Sequence, residues 1–154
     1  MSTYVVYDVF TDRRYGGNQL AVFPDASALP EGQLAAIARE FNYSEVVFVY
    51  PPADLRHSAR VRIFTPTQEV PFAGHPLIGT AVALVDLGFP AEMILETGVG
   101  PIPCRVAQGR ASFTTTTPLT RHGAPDPALV ARALGLAVDD LDSTVHPPDR
   151  KSVV

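Results

Sequence analysis

The run Pro71-Phe72-Ala73-Gly74-His75-Pro76-Leu77-Ile78-Gly79-Thr80-Ala81-Val82-Ala83-Leu84-Val85 dictates the architecture of this chain. Proline near its start and Gly88 just past its end are helix punctuation, so the spacing predicts a helix over 76–85 that stops near Gly88. Thr80 is the only polar side chain before Asp86. A helix that is apolar on every face has no side to offer water, so the rest of the chain has to enclose it.

The material for that enclosure lies on both sides. Residues 4–10, 19–23, 46–50, 60–65, 93–97, 100–106 and 110–116 are rich in β-branched and aromatic residues and read as strands. Leu34, Ile37, Ala38 and Phe41 follow Pro30 at helical spacing and predict an amphipathic helix over 30–41. A last helix over 127–134 places Ala128, Val130, Ala131 and Leu134 on its apolar side. The fold class expected is α+β, a curved antiparallel sheet or barrel wrapped around a central apolar helix.

Composition narrows the function. The 154 residues suit one compact domain, and 46% of them are apolar. A formal charge of −4 with a single lysine, Lys151, leaves no basic stripe for nucleic acid or anionic lipid. No apolar run reaches the roughly 20 residues of a membrane helix, and the first residues lack the features of a secretion signal. Cys104 stands alone and suits a reducing cytoplasm. It shares the chain with four dispersed histidines, which give no zinc spacing, so no metal is expected.

The helix start is one candidate site. Its first N–H groups have no partner within the helix, and the helix dipole adds partial positive charge there. Ala73 is small and Gly74 has no side chain, so a carboxylate could approach the backbone beside His75. The plainer alternative is a tight turn at Gly74 with His75 as a simple cap. Glu45 is a second candidate, an acid at the mouth of the apolar strand 46–50. A carboxylate partly withdrawn from water suits proton transfer, whereas the plainer alternative is a surface or loop-capping acid. Asp8, Asn18 and Glu69 complete the polar set. Asp8 fits an edge strand, Asn18 closes a turn after two glycines, and Glu69 could pair with Arg62 across a hairpin. Cys104, among Ile102, Pro103 and Val106, reads as a packed strand residue.

Five stretches occur in order: Asp8-Val9-Phe10-Thr11, Gly17-Asn18-Gln19-Leu20-Ala21-Val22, Ala38-Arg39-Glu40-Phe41-Asn42-Tyr43-Ser44-Glu45, Arg62-Ile63-Phe64-Thr65-Pro66 and Glu69-Val70-Pro71-Phe72-Ala73-Gly74-His75-Pro76. Together they resemble the PhzF-like isomerases of phenazine biosynthesis over residues 4–136. The resemblance implies a fold related to diaminopimelate epimerase, with two pseudo-symmetric domains of which this chain holds the N-terminal one. It implies that Glu45 carries a proton without a cofactor, and that Gly74, His75 and Asn18 bind a small carboxylate substrate. The best-known reaction of the family moves a proton between ring carbons of trans-2,3-dihydro-3-hydroxyanthranilate, and full-length members are commonly homodimers. Epimerases and racemases of related fold use two cysteines, one of them at the central helix start. Here Gly74-His75 stands in that place.

The resemblance also organises the chain: 1–118 as the PhzF-like domain, 119–148 as a helix and the start of an interdomain linker, and 149–154 as a non-native tail. Asp149-Arg150-Lys151-Ser152-Val153-Val154 can be encoded by GATCGGAAGAGCGTCGTG, which matches a sequencing adapter. Family members run to nearly twice this length. The expectation is therefore an isomerase half inactive by itself, with a truncated fragment or a small-carboxylate binding module as alternatives.

Overall fold

The computed structural model describes residues 2–115 and 125–141. The chain divides into two compact units, Met1–Thr116 and Thr117–Val154. The first begins with β1 (Val5–Val9) and β2 (Asn18–Phe23). A 3₁₀ turn at Glu31–Gln33 leads into α1 (Leu34–Phe41), followed by β3 (Glu45–Tyr50), β4 (Ala59–Phe64) and β5 (Glu69–Val70). Then come α2 (Gly74–Asp86), β6 (Glu92–Thr97), β7 (Gly100–Ala107) and β8 (Arg110–Phe113). The second unit contains α3 (Pro127–Leu134), whose N-terminus is capped by Asp126 accepting from the Ala128 N–H at 2.9 Å.

The strands form one sheet in the order β1-β2-β3-β4-β6-β7-β8, with β5 attached to β4. Helix α2 packs against β1 and β2 near one edge and against β7 and β8 at the other. One helix can touch both edges only if the sheet curls around it, so the α+β architecture with a central apolar helix is the one observed. The sheet is mixed, however, and not antiparallel throughout: β2 pairs parallel with β3, and β4 parallel with β6. Each of these pairs is joined through a helix, α1 in the first case and α2 in the second. A crossover of that length returns the chain in the same direction, as a tight hairpin cannot.

Side-chain alternation gives the sheet two buried faces. Leu20, Val22, Val47 and Val49 join Leu77, Ala81 and Leu84 of α2 in the inner core. Ala21, Phe23, Val46 and Phe48 point the other way and pack with Leu34 and Ala38 of α1. Burial on both faces explains why β3 reads as an unbroken apolar run. Each fully buried leucine or valine contributes about 1.5–3 kcal/mol by leaving water.

Helix α2 starts at Gly74, two residues before the expected Pro76. Proline is still within the first turn, where its missing N–H leaves no bond unmade. The helix comes closest to the sheet at Gly79, where a Cβ would fall 2.5 Å from Leu20 Cδ2 and 2.7 Å from Val9 Cγ2. Enclosure is not complete: Ile78, Val82 and Val85, a stripe at helical spacing, are only half buried. At its far end the Tyr7 hydroxyl donates to Asp86 Oδ2 at 2.6 Å, and burial together with that carboxylate pushes Tyr7 up to about 12.

Other expectations need small changes. The strand expected over 110–116 ends at Phe113, and its last residue lies outside the described ones. Residues 149–154, read as a non-native tail, also lie outside them. Strand β5 was not expected, because two residues are too few to show a period. Among the described residues no helix is long and apolar enough to cross a membrane.

The Gly79 contact yields a test. Gly79→Ala should lower unfolding free energy by about 1–2 kcal/mol, overpacking outweighing the gain in helix propensity. Gly32→Ala, at a position with nothing within 4 Å of a new Cβ, should be neutral or slightly stabilising. Urea denaturation of both variants measures the difference. Equal behaviour would mean that α2 does not sit this close to β1 and β2.

Candidate functional site

Glu45 opens β3 on the same face as Val47 and Val49, which look onto α2. Its position at the strand end, in register with Leu20 of β2, places the carboxylate at the rim of the curled sheet and not in its middle. His75 is the second residue of α2, and at 9% exposure it is about nine-tenths buried. The two side chains meet there: His75 Nδ1 lies 3.0 Å from Glu45 Oε2. The contact is close enough for electrostatic attraction, yet it is not aligned as a hydrogen bond. Glu45 Oε2 and His75 Nε2 are both buried without a hydrogen-bond partner among the described residues. An orphaned buried polar atom costs about 1–3 kcal/mol, which a ligand completing the set would relieve.

The backbone adds donors. Ala73 is the N-cap of α2 and offers no side-chain cap, and the first turn has no acidic residue. Neither the Gly74 nor the His75 N–H has a backbone partner among the described residues. These donors carry the positive end of the helix dipole beside the Glu45–His75 pair. Burial holds the His75 imidazole below the ordinary histidine range, while the Glu45 carboxylate and the Gln19 carbonyl pull it upward.

Asn18 reaches the site indirectly. Its Oδ1 accepts from Ser44 Oγ at 2.9 Å, tying the start of β2 to the residue before Glu45. The structure thus gathers Glu45, His75 and Gly74 directly and Asn18 through Ser44. Glu69 stands apart: both its oxygens accept from Arg62 at 2.7 Å, the cross-hairpin pair that the sequence suggested. Arg62 also reaches Glu31 at 3.1 Å, which links the approach to α2 to the turn before α1. Asp8 lies on edge strand β1 and accepts from the Tyr15 N–H at 2.8 Å. Cys104 is buried, and desolvation pushes its thiol up to about 11, which makes it a poor nucleophile. No cluster of side chains able to hold a metal is present among the described residues.

Two participants were missing from the sequence reading. The Gln19 carbonyl is backbone, so no residue type signals it. Phe10, whose ring centroid is 6.3 Å from that of His75, was visible as the end of an apolar strand and within a family-like stretch, with nothing to mark it as part of a site.

Comparisons with known proteins converge. The profile of a family described as phenazine biosynthesis-like protein matches residues 7–147. An uncharacterized isomerase of Mesorhizobium japonicum is 42% identical over 151 residues, covering 93% of this chain and 50% of that protein. The trans-2,3-dihydro-3-hydroxyanthranilate isomerase of Pseudomonas fluorescens is 48% identical over 102 residues, covering 66% of this chain and 36% of that protein. Among solved structures, a predicted epimerase of Pseudomonas aeruginosa matches with a TM-score of 0.74 at 32% identity, over 97% of this chain and 55% of the other. The chain spans about half, or less, of the length of these curated relatives.

The buried pair makes a pH prediction. His75 should titrate below the ordinary histidine range in NMR spectra, and Glu45→Gln should lower it further by removing the anion that favours the charged ring. Because the fold prefers neutral His75, the associated stability is complete above the ordinary range and is lost as pH falls toward the lowered value. A His75 midpoint that rises in Glu45→Gln would contradict the arrangement.

Proposed function

This chain belongs to the phenazine biosynthesis-like protein family, and from that premise we propose that it is the proton-carrying half of a cofactor-independent isomerase acting on a small carboxylate. The observation that carries the reading is the Glu45–His75 pair, 3.0 Å apart at the open N-terminus of α2 with buried polar atoms left unpaired. The N–H groups of Gly74 and His75 at the start of α2 hold the substrate carboxylate, and Asn18 lines the approach.

In this reading the substrate class is that of trans-2,3-dihydro-3-hydroxyanthranilate, a cyclic, unsaturated carboxylate. Glu45 as carboxylate takes a proton from one ring carbon, and the electron pair of that C–H bond enters the adjoining double-bond system. Glu45, now the carboxylic acid, returns the proton to a second carbon at the far end of that system. A double bond has moved, nothing has been oxidised or reduced, and Glu45 is restored. Neutral His75 suits this scheme: it neither competes with Glu45 for the proton nor adds a positive charge that would hold the acid ionised.

A binding module is the second reading, because the helix end and a neutral histidine suffice to hold a carboxylate without any chemistry. One experiment separates the two. With trans-2,3-dihydro-3-hydroxyanthranilate in deuterated water, the wild-type protein should place deuterium on the ring of the substrate, the exchange step that needs only Glu45, even where this half by itself turns over no product. Glu45→Gln should lose that incorporation by about a hundredfold or more, the usual scale of a lost acid–base group. Its binding should stay within a few-fold of wild type, whereas Gly74→Val should weaken binding. Wild-type binding without exchange would favour the module, and exchange undiminished in Glu45→Gln would remove Glu45 from the chemistry.

A further inference from the structure

Phe10 holds a position that neither the core nor the proton carrier explains. It follows directly on β1, and its backbone sits at φ 65°, a left-handed conformation seldom adopted by aromatic residues. The residue is 64% exposed, so burial does not account for the conformation. The surrounding loop is tied down from several directions. Asp8 Oδ2 accepts from the Tyr15 N–H at 2.8 Å, and Thr11 Oγ1 accepts from the Arg13 N–H at 3.0 Å. Gly17 packs so tightly under the Val9 carbonyl and the Thr11 side chain that no Cβ fits there.

The result is an aromatic ring held out at a fixed place between two features. On one side is His75, with ring centroids 6.3 Å apart and planes inclined at 52°. On the other is a groove of about 890 Å³ lined by Phe10, Tyr7, Ile78, Gly79, Val82 and Arg110 among others. Neither Glu45 nor His75 lines that groove, whereas Phe10 both lines it and neighbours His75. A spacing of 6.3 Å falls within the range over which aromatic faces and edges attract one another.

We propose that Phe10 is a specificity-determining residue of the carboxylate site, its exposed ring receiving the flat ring of a substrate whose carboxylate lies at the N-terminus of α2. This rests on the helix-end reading given above and adds to it the residue, Phe10, that selects a flat, unsaturated ring over an acyclic or saturated acid. An acyclic acid satisfies the helix end alone. A saturated ring fills the same space without offering a flat face.

NMR titration of the full chain with acetate, cyclohexanecarboxylate and benzoate tests the inference, in wild type and in Phe10→Ala, Phe10→Leu and Phe10→Tyr. Acetate probes the helix end by itself, and benzoate probes the helix end together with the ring. The wild-type protein should prefer benzoate over both other acids. Phe10→Ala and Phe10→Leu should lose about three- to tenfold in benzoate affinity, the worth of one aromatic contact, with acetate unchanged. Phe10→Tyr keeps the face and should keep the preference. Phe10→Leu retains apolar bulk, so it gives the same answer should Phe10→Ala fail to fold. Benzoate binding equal to wild type in both Phe10→Ala and Phe10→Leu overturns the role of Phe10 and leaves the helix-end reading standing. Equal losses for acetate and benzoate also overturn it, because Phe10 would then act only by shaping His75. If the wild-type protein binds none of the three acids, the helix-end reading falls and this inference falls with it.

Discussion

Burial of a helix that has no polar side is the constraint from which the rest of this structure follows. Helix α2 can be stable in water only if other elements surround it, and the sheet does so by curling until both its edges touch the helix. That curl fixes the order of the strands and the inward alternation of β2 and β3. It also explains the glycine at the closest approach, where Leu20 and Val9 leave no room for a methyl group. The outer face of the same strands is then covered by α1, so the middle of the sheet is buried on both sides.

Enclosing a helix also determines where its chemistry can be. The body of α2 carries no polar side chain except the buried Thr80, so its polar groups lie at its ends. The C-terminal end is tied to β1 by the Tyr7–Asp86 hydrogen bond. The N-terminal end has no side-chain cap, and its Gly74 and His75 N–H groups have no backbone partner among the described residues. Into this end the strand geometry delivers Glu45, the first residue of β3, next to His75. A polar pair at the edge of an apolar core is only partly desolvated, which is the setting that the proposed proton transfer asks for. The Arg62–Glu69–Glu31 network, on the segment just before α2, restrains the chain that leads into the site.

Much of this could be read in the sequence, for identifiable reasons. The central helix was legible because its composition leaves it no other place than the interior. Glu45, Gly74 and His75 were legible as chemistry-bearing types at element starts, and Arg62 and Glu69 as neighbours across a short hairpin. The parallel pairings were not, since strand direction depends on which connections cross over and not on alternation within a strand. Strand β5, with two residues, was too short to show alternation. The left-handed backbone of Phe10 and the Tyr7–Asp86 bond, which joins residues 79 positions apart, are set by packing that no local pattern encodes.

Hydrogen exchange at the amides of α2 tests the central claim most directly. The account predicts that amides from Ala81 to Val85 exchange only on global unfolding, that those of Gly74 and His75 exchange rapidly, and that added benzoate slows these two selectively. Gly74 and His75 amides as protected as Ala81 in the free protein, or unaffected by carboxylate, would contradict it.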